Sequence, residues 1–143
     1  MGLLKWALKK SIWVYHVALS PCNNCDIEVL DVLTPRHDVE RFGIKLVGSP
    51  RHADALLVSG VVNRHVLPRF VELYHQTAKP CVVLAIGSCA LSTTIFEPGY
   101  NTMGPLDKIL KEIDPNAIIA YVPGCPPKPE AIILGAVKAL SAL

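Results

Sequence analysis

Cys81-Val82-Val83-Leu84-Ala85-Ile86-Gly87-Ser88-Cys89 is an apolar run that stops at a glycine and reaches a cysteine two residues later. So short a run, rich in β-branched residues, reads as a strand over residues 81–86, and it lacks the alternation of a half-exposed strand. A strand that is apolar on both faces belongs to a parallel sheet covered on both sides.

The same pattern recurs outward in both directions. Residues 55–59 form an apolar run closed by Gly60, and residues 118–122 one closed by Pro123-Gly124. Residues 14–19 end at Ser20-Pro21, and residues 42–47 carry Gly43 near their start. Helical patterns fall between these runs, over 25–33 (stopped by Thr34-Pro35), 67–76, 106–113 and 130–143. Ser49 and Pro50 have the chemistry of an N-cap and a first helical residue, which predicts a helix opening there. Residues 88–105, with Pro98, Gly99 and Gly104, read as irregular, and residues 1–13 as a short helix. Alternating strands and helices predict an α/β fold: a single doubly wound, flavodoxin-like parallel sheet of about five strands with helices on both faces.

Composition narrows the function classes. The chain has 143 residues, 51% hydrophobic and 18% charged, with a net charge of +2. One core is implied, disorder is excluded, and so small a charge does not suggest a nucleic-acid partner. The apolar content points to surfaces buried against other subunits. No run reaches the ~18 apolar residues of a membrane span. Lys5, Lys9 and Lys10 precede an apolar stretch, but His16 interrupts it and no small-x-small site follows before Cys22, so the N-terminus reads as mature sequence.

The chain has five cysteines, and an odd count without a secretory signal argues against a disulfide framework. Four share one context: Cys22 and Cys25 follow the first strand, Cys89 the fourth and Cys125 the fifth. Parallel strands end on one sheet edge, where such folds bind ligands. Four thiols on that rim make a metal site, either iron–sulfur or zinc. Cys81 begins its strand and so falls on the opposite edge, as a core residue. A C-x-x-C pair joined by two distant single cysteines, with proline after Cys125 and glycines beside Cys89 and Cys125, favours [4Fe–4S] over a zinc knuckle. No glycine-rich phosphate loop follows strand one, which weakens an FMN-binding reading.

Four motifs carry a specific resemblance. They are Cys22-Asn23-Asn24-Cys25-Asp26-Ile27-Glu28, Thr34-Pro35-Arg36-His37-Asp38-Val39-Glu40-Arg41-Phe42-Gly43, Gly48-Ser49-Pro50-Arg51-His52-Ala53-Asp54 and Val122-Pro123-Gly124-Cys125-Pro126-Pro127-Lys128-Pro129-Glu130. With them the chain resembles the small cluster-bearing subunit shared by membrane-bound [NiFe] hydrogenases and respiratory complex I. The C-x-x-C spacing is similar to the energy-converting (group 4) hydrogenase branch.

The resemblance implies one [4Fe–4S] cluster on Cys22, Cys25, Cys89 and Cys125. It implies electron relay between a ferredoxin-like polyferredoxin subunit and a hydrogenase-type large subunit, beside integral membrane subunits on the cytoplasmic side of the membrane. The alternative is the equivalent subunit of a complex I-like quinone or sulfur-reducing dehydrogenase. Residues 1–13 would be a docking helix and 14–143 the cluster domain. The family commonly has glycine where Asn24 stands and a glycine-rich run where this chain reads Ala90-Leu91-Ser92-Thr93-Thr94-Ile95-Phe96.

Other residues invite roles. Glu28, three residues after Cys25, is a carboxylate placed for proton handling or cluster tuning, and Arg51 and His52 are expected on the same rim. Arg36, His37, Asp38, Glu40 and Arg41 form a dense charged segment that the resemblance sets at the membrane arm, where it would couple redox chemistry to ion movement. His16 and His65 are expected to be structural.

Overall fold

The computed structural model describes residues 10–97 and 99–142. Strand β1 (Ile12–Ser20) is followed by helix α1 (Asn24–Asp31), strand β2 (Ile44–Leu46), strand β3 (Ala55–Gly60) and the short strand β4 (Val62–Asn63). Helix α2 (Leu67–Gln76), strand β5 (Val82–Ile86), the short helix α3 (Ser88–Ser92) and strand β6 (Thr102–Gly104) come next. Helix α4 (Leu106–Ile113), strand β7 (Ile118–Val122) and helix α5 (Pro129–Ala142) complete the chain.

The main sheet has five strands in the order β2-β1-β3-β5-β7, and every pairing is parallel. The order reverses between β1 and β3, so the fold is the doubly wound α/β type with its switch point there. Each strand of the centre serves two cores. Leu56 and Val58 of β3 pack with Phe70 and Tyr74 of α2 and Leu106 and Leu110 of α4. Ala55 and Leu57 face the other way, with Val29 and Val32 near α1 and Ile132 of α5. This double burial is why β3 and β5 read as unbroken apolar runs. Helix α4 shows the complementary pattern, with Leu106, Ile109 and Leu110 buried at helical spacing. Burial of each large side chain such as Phe70 or Leu56 contributes about 1.5–3 kcal/mol relative to leaving it exposed.

Three expectations are corrected. Ile12 and Trp13 do not end a helix: they begin β1, held by Ile12 N–H on Gly43 O (2.9 Å) and Trp13 N–H on the Asp54 carboxylate (2.9 Å). Lys10 is helical and Ser11 leads into the strand, while residues 1–9 of the expected docking helix lie outside the described residues. Pro50 opens only a single 3₁₀ turn, Pro50–His52, and Ser49 makes no side-chain cap. The stretch expected to be irregular holds α3 and β6, and β6 pairs antiparallel with β4, drawing the chain after Cys89 back over the end of β3.

Candidate metal centre

All the main strands point the same way, so β1, β3, β5 and β7 finish on one edge. Cys22 lies just past β1 and Cys25 in the first turn of α1. Cys89 lies in the first turn of α3, and Cys125 three residues past the end of β7. Backbone hydrogen bonds tie two of these loops together: Gly87 N–H to Val122 O (2.9 Å) and Ser88 N–H to Gly124 O (2.8 Å). The Ser88 hydroxyl adds a bond to the same Gly124 carbonyl (3.1 Å). The turn between Cys22 and Cys25 is made by Asn23 in the left-handed region (φ 69°), while Asn24 is already helical. The left-handed residue is thus Asn23 and not Asn24, and asparagine is among the few side chains that take this conformation readily.

The Cys25 thiol forms the floor of the site, with the residue only 8% exposed. It rests directly on Gly87. A Cβ at Gly87 would stand 2.5 Å from Cys25 Sγ and 3.6 Å from Gly124 O, and Gly87 has φ +85°. Both the close approach and the backbone angle require glycine. Burial pushes the Cys25 thiol up to about 11, and the charges of Cys22, Cys89, Asp26 and Cys125 add to the rise. Cys89 is half-buried, and Cys22 and Cys125 are exposed around the mouth.

This donor set fits an iron–sulfur cluster: four thiols, one floor position and a glycine cradle that lets backbone approach sulfur. Among the described residues, no group of three or more His, Cys, Asp and Glu side chains is poised to close on a single ion. A lone zinc gathers its sulfurs around one centre at about 2.3 Å. The cysteines of a four-iron cluster each bind a different iron.

A polar network fastens the rim to the sheet. The Ser59 hydroxyl donates to Asp26 Oδ1 (2.5 Å), and His16 Nε2 lies 3.0 Å from the same oxygen and 3.2 Å from Ser59 Oγ. Ser59 is fully buried in β3, His16 sits in β1, and Asp26 follows Cys25 in α1. His16 is engaged within the chain by this network, and Asp26 and Ser59 escape a sequence reading. Their partners are 33 and 43 positions apart, beyond any local pattern.

The remaining predicted residues fall in two places. Glu28 is half-buried on α1, one turn past Cys25. Arg51 and His52 are not on the cysteine rim. They precede β3, whose first residue Ala55 pairs with Val14 near the start of β1, and His52 packs edge-on to Trp13 at 6.4 Å. The length of β3 puts them roughly 17 Å or more from the rim. The error comes from direction: a segment that follows β2 and leads into β3 belongs to the edge where strands start.

The charged segment lies at that same starting edge, between α1 and β2. Two of its members are already engaged within the chain. His37 Nε2 lies 3.4 Å from Asp31, its side chain only 11% exposed, and the Arg41 guanidinium stacks 4.8 Å over the Phe42 ring. Arg36 and Glu40 are exposed, and Asp38 adopts a left-handed φ of 41°. Cys81 is buried at the start of β5, 4% exposed, away from the four rim cysteines.

Residues 22–139 match the model of the NADH ubiquinone oxidoreductase 20 kDa subunit family. The chain belongs to that family. Its members are subunits of oxidoreductase complexes. The chain is 50% identical over 134 residues to the "Probable membrane-bound hydrogenase subunit mbhJ" of Pyrococcus furiosus, covering 94% of this chain and 77% of that one. It is 39% identical to an NADH-quinone oxidoreductase subunit of Geotalea daltonii, covering 96% of this chain and 75% of that one. Among solved structures it is similar to a chain of the membrane-bound sulfane sulfur reductase, an archaeal respiratory complex. That likeness has a TM-score of 0.78 at 36% identity and covers 97% of this chain and 73% of the other.

Proposed function

We propose that the chain is the proximal-cluster subunit of a membrane-bound, energy-converting [NiFe] hydrogenase, with Cys22, Cys25, Cys89 and Cys125 holding one [4Fe–4S] cluster. The observation that carries this reading is the convergence of the Cys22–Cys25 turn, the start of α3 with Cys89 and the Cys125 loop on one sheet edge, with Gly87 packed against the Cys25 sulfur. When bound, such a cluster supplies a one-electron relay. The chain's own residues do the rest: Gly87 brings backbone close to the Cys25 sulfur, and the His16–Asp26–Ser59 network holds α1 at the rim. The likeness to the hydrogenase subunit of Pyrococcus furiosus supports this branch.

In this role the chain carries no catalytic metal of its own. It passes electrons between a ferredoxin-like polyferredoxin subunit and a hydrogenase-type large subunit, docked on integral membrane subunits at the cytoplasmic face. Among the described residues no helix is long and apolar enough to cross a membrane, which suits peripheral attachment. Exposed apolar side chains near the rim, Ile95 (87%) and Tyr100 (86%), suit burial by a neighbouring subunit. Copurification from membranes followed by metal analysis of the large subunit tests the branch, with nickel expected there. The likeness to the sulfane sulfur reductase favours a second reading, in which the same subunit serves a sulfur-reducing relative and the large subunit lacks nickel.

A further inference from the structure

The chain directly after Cys89 is bent at a cost. Thr93 and Thr94 both have positive φ, 58° and 47°. For β-branched residues this is a true outlier that strains the backbone at both positions. Glycine would occupy either position freely. The surroundings hold the bend in place. Thr93 is fully buried, its N–H bonds to Cys89 O (3.0 Å), and its hydroxyl reaches Ser92 O (2.6 Å) and Glu97 Oε2 (3.2 Å). The result is that the Thr94 hydroxyl comes back to 3.7 Å from Cys89 Sγ.

We propose that Thr94 is a positioning residue for electron transfer: its hydroxyl donates a hydrogen bond to the Cys89 sulfur and raises the reduction potential of the bound cluster. The inference rests on the reading that Cys89 ligates an iron–sulfur cluster. A ligating cysteine is a thiolate and has no proton to give, so of the two atoms only the threonine oxygen can be the donor. Reduction adds one electron to the cluster and moves no proton. The reduced state carries more negative charge on its sulfurs, so a donor stabilises it more than the oxidised state. The strained pair of threonines is the structural cost of presenting that hydroxyl. Gly-Gly would relieve the strain and lose the bond.

The test is a redox titration of the full chain, loaded anaerobically with ferrous iron and sulfide and followed by electron paramagnetic resonance, with dithionite as reductant. Wild type is read first: absence of bound iron and sulfide there overturns the ligand reading itself. Given a wild-type signal, Thr94→Val and Thr94→Gly are expected to lower the midpoint. The expected change is about tenfold in the oxidised-to-reduced ratio at fixed potential, ~59 mV for one electron. Thr94→Ser is expected to stay at the wild-type value. Thr94→Gly adds a separation that a merely structural role does not produce, because it should resist urea better than wild type while its potential falls. Unchanged midpoints in both Thr94→Val and Thr94→Gly overturn the proposal. So does loss of the cluster in both while Thr94→Ser keeps it, because the hydroxyl would then be retaining the cluster rather than tuning it.

Discussion

His16 Nε2 stands 3.0 Å from Asp26 Oδ1, joining the middle of β1 to the first turn of α1, one residue past Cys25. Ser59 closes the triangle from β3. The network spans the switch point of the sheet, where the end of β1 and the end of β3 diverge and the Cys22–Cys25 turn must be anchored. Asp26→Ala would leave the buried Ser59 hydroxyl and His16 without their acceptor. A loss of about 1–3 kcal/mol in urea unfolding is expected, together with a lower iron content per chain. Asp26→Asn keeps an acceptor for Ser59 and should lose less of both. Full iron loading in Asp26→Ala would show that the network does not position the rim.

Gly87 offers a sharper test of the cradle. Gly87→Ala places a methyl 2.5 Å from Cys25 Sγ at a φ of +85°. It should cost at least ~1–3 kcal/mol through strain alone and sharply reduce cluster loading. Gly48→Ala is the control, because nothing lies within 4 Å of its added Cβ. Near-normal stability and loading are expected there. Equal behaviour of the two variants, measured by thermal unfolding and iron analysis, would remove Gly87 from the site.

Much of this arrangement is legible in the sequence. The bounds of α2, α4 and β7 follow from their patterns, because each ends at a residue that breaks its period. The rim cysteines can be placed together because each follows a strand of a parallel sheet. Ile12 and Trp13 read as helical because Leu3, Leu4, Trp6 and Leu8 upstream suggest a helical face, whereas sheet pairing with Ile44 and Lys45 decides the matter. Strands as short as β4 and β6, with two and three residues, leave no period to read. Arg51 and His52 show that residue type without strand direction misplaces a side chain by the length of a strand.

Cys81 separates burial from ligation. Its thiol is pushed up to about 11, chiefly by burial, from an ordinary value of 9.0. A thiol whose folded value is raised stabilises the fold fully below pH 9, and that contribution is lost as pH rises toward 11. The two-unit shift corresponds to about 2–3 kcal/mol. In the cluster-free chain, Cys81→Ala should flatten the decline of stability between pH 9 and 11, measured by urea midpoints. It should leave iron content unchanged. Loss of cluster in this variant would contradict the separation of the two sheet edges.

The charged segment is the place to look for coupling. Asp38→Asn and Arg41→Ala are expected to leave the cluster spectrum intact and to slow ion-coupled electron flow in membranes, with dye-linked activity of the detached soluble module near normal. His37 already pairs with Asp31 inside the chain, so its substitution should affect stability as well. Parallel loss of both activities, or no loss, would make the segment structural and remove the coupling role.

Whether the four rim cysteines hold one four-iron cluster is decided by iron and sulfide analysis of the anaerobically purified full chain, alongside its visible spectrum. About four irons and four sulfides per chain are expected, with broad absorbance near ~400 nm, abolished or converted when Cys22, Cys25, Cys89 or Cys125 is changed to Ser. A colourless protein with one zinc per chain, or a flavin spectrum, would contradict it.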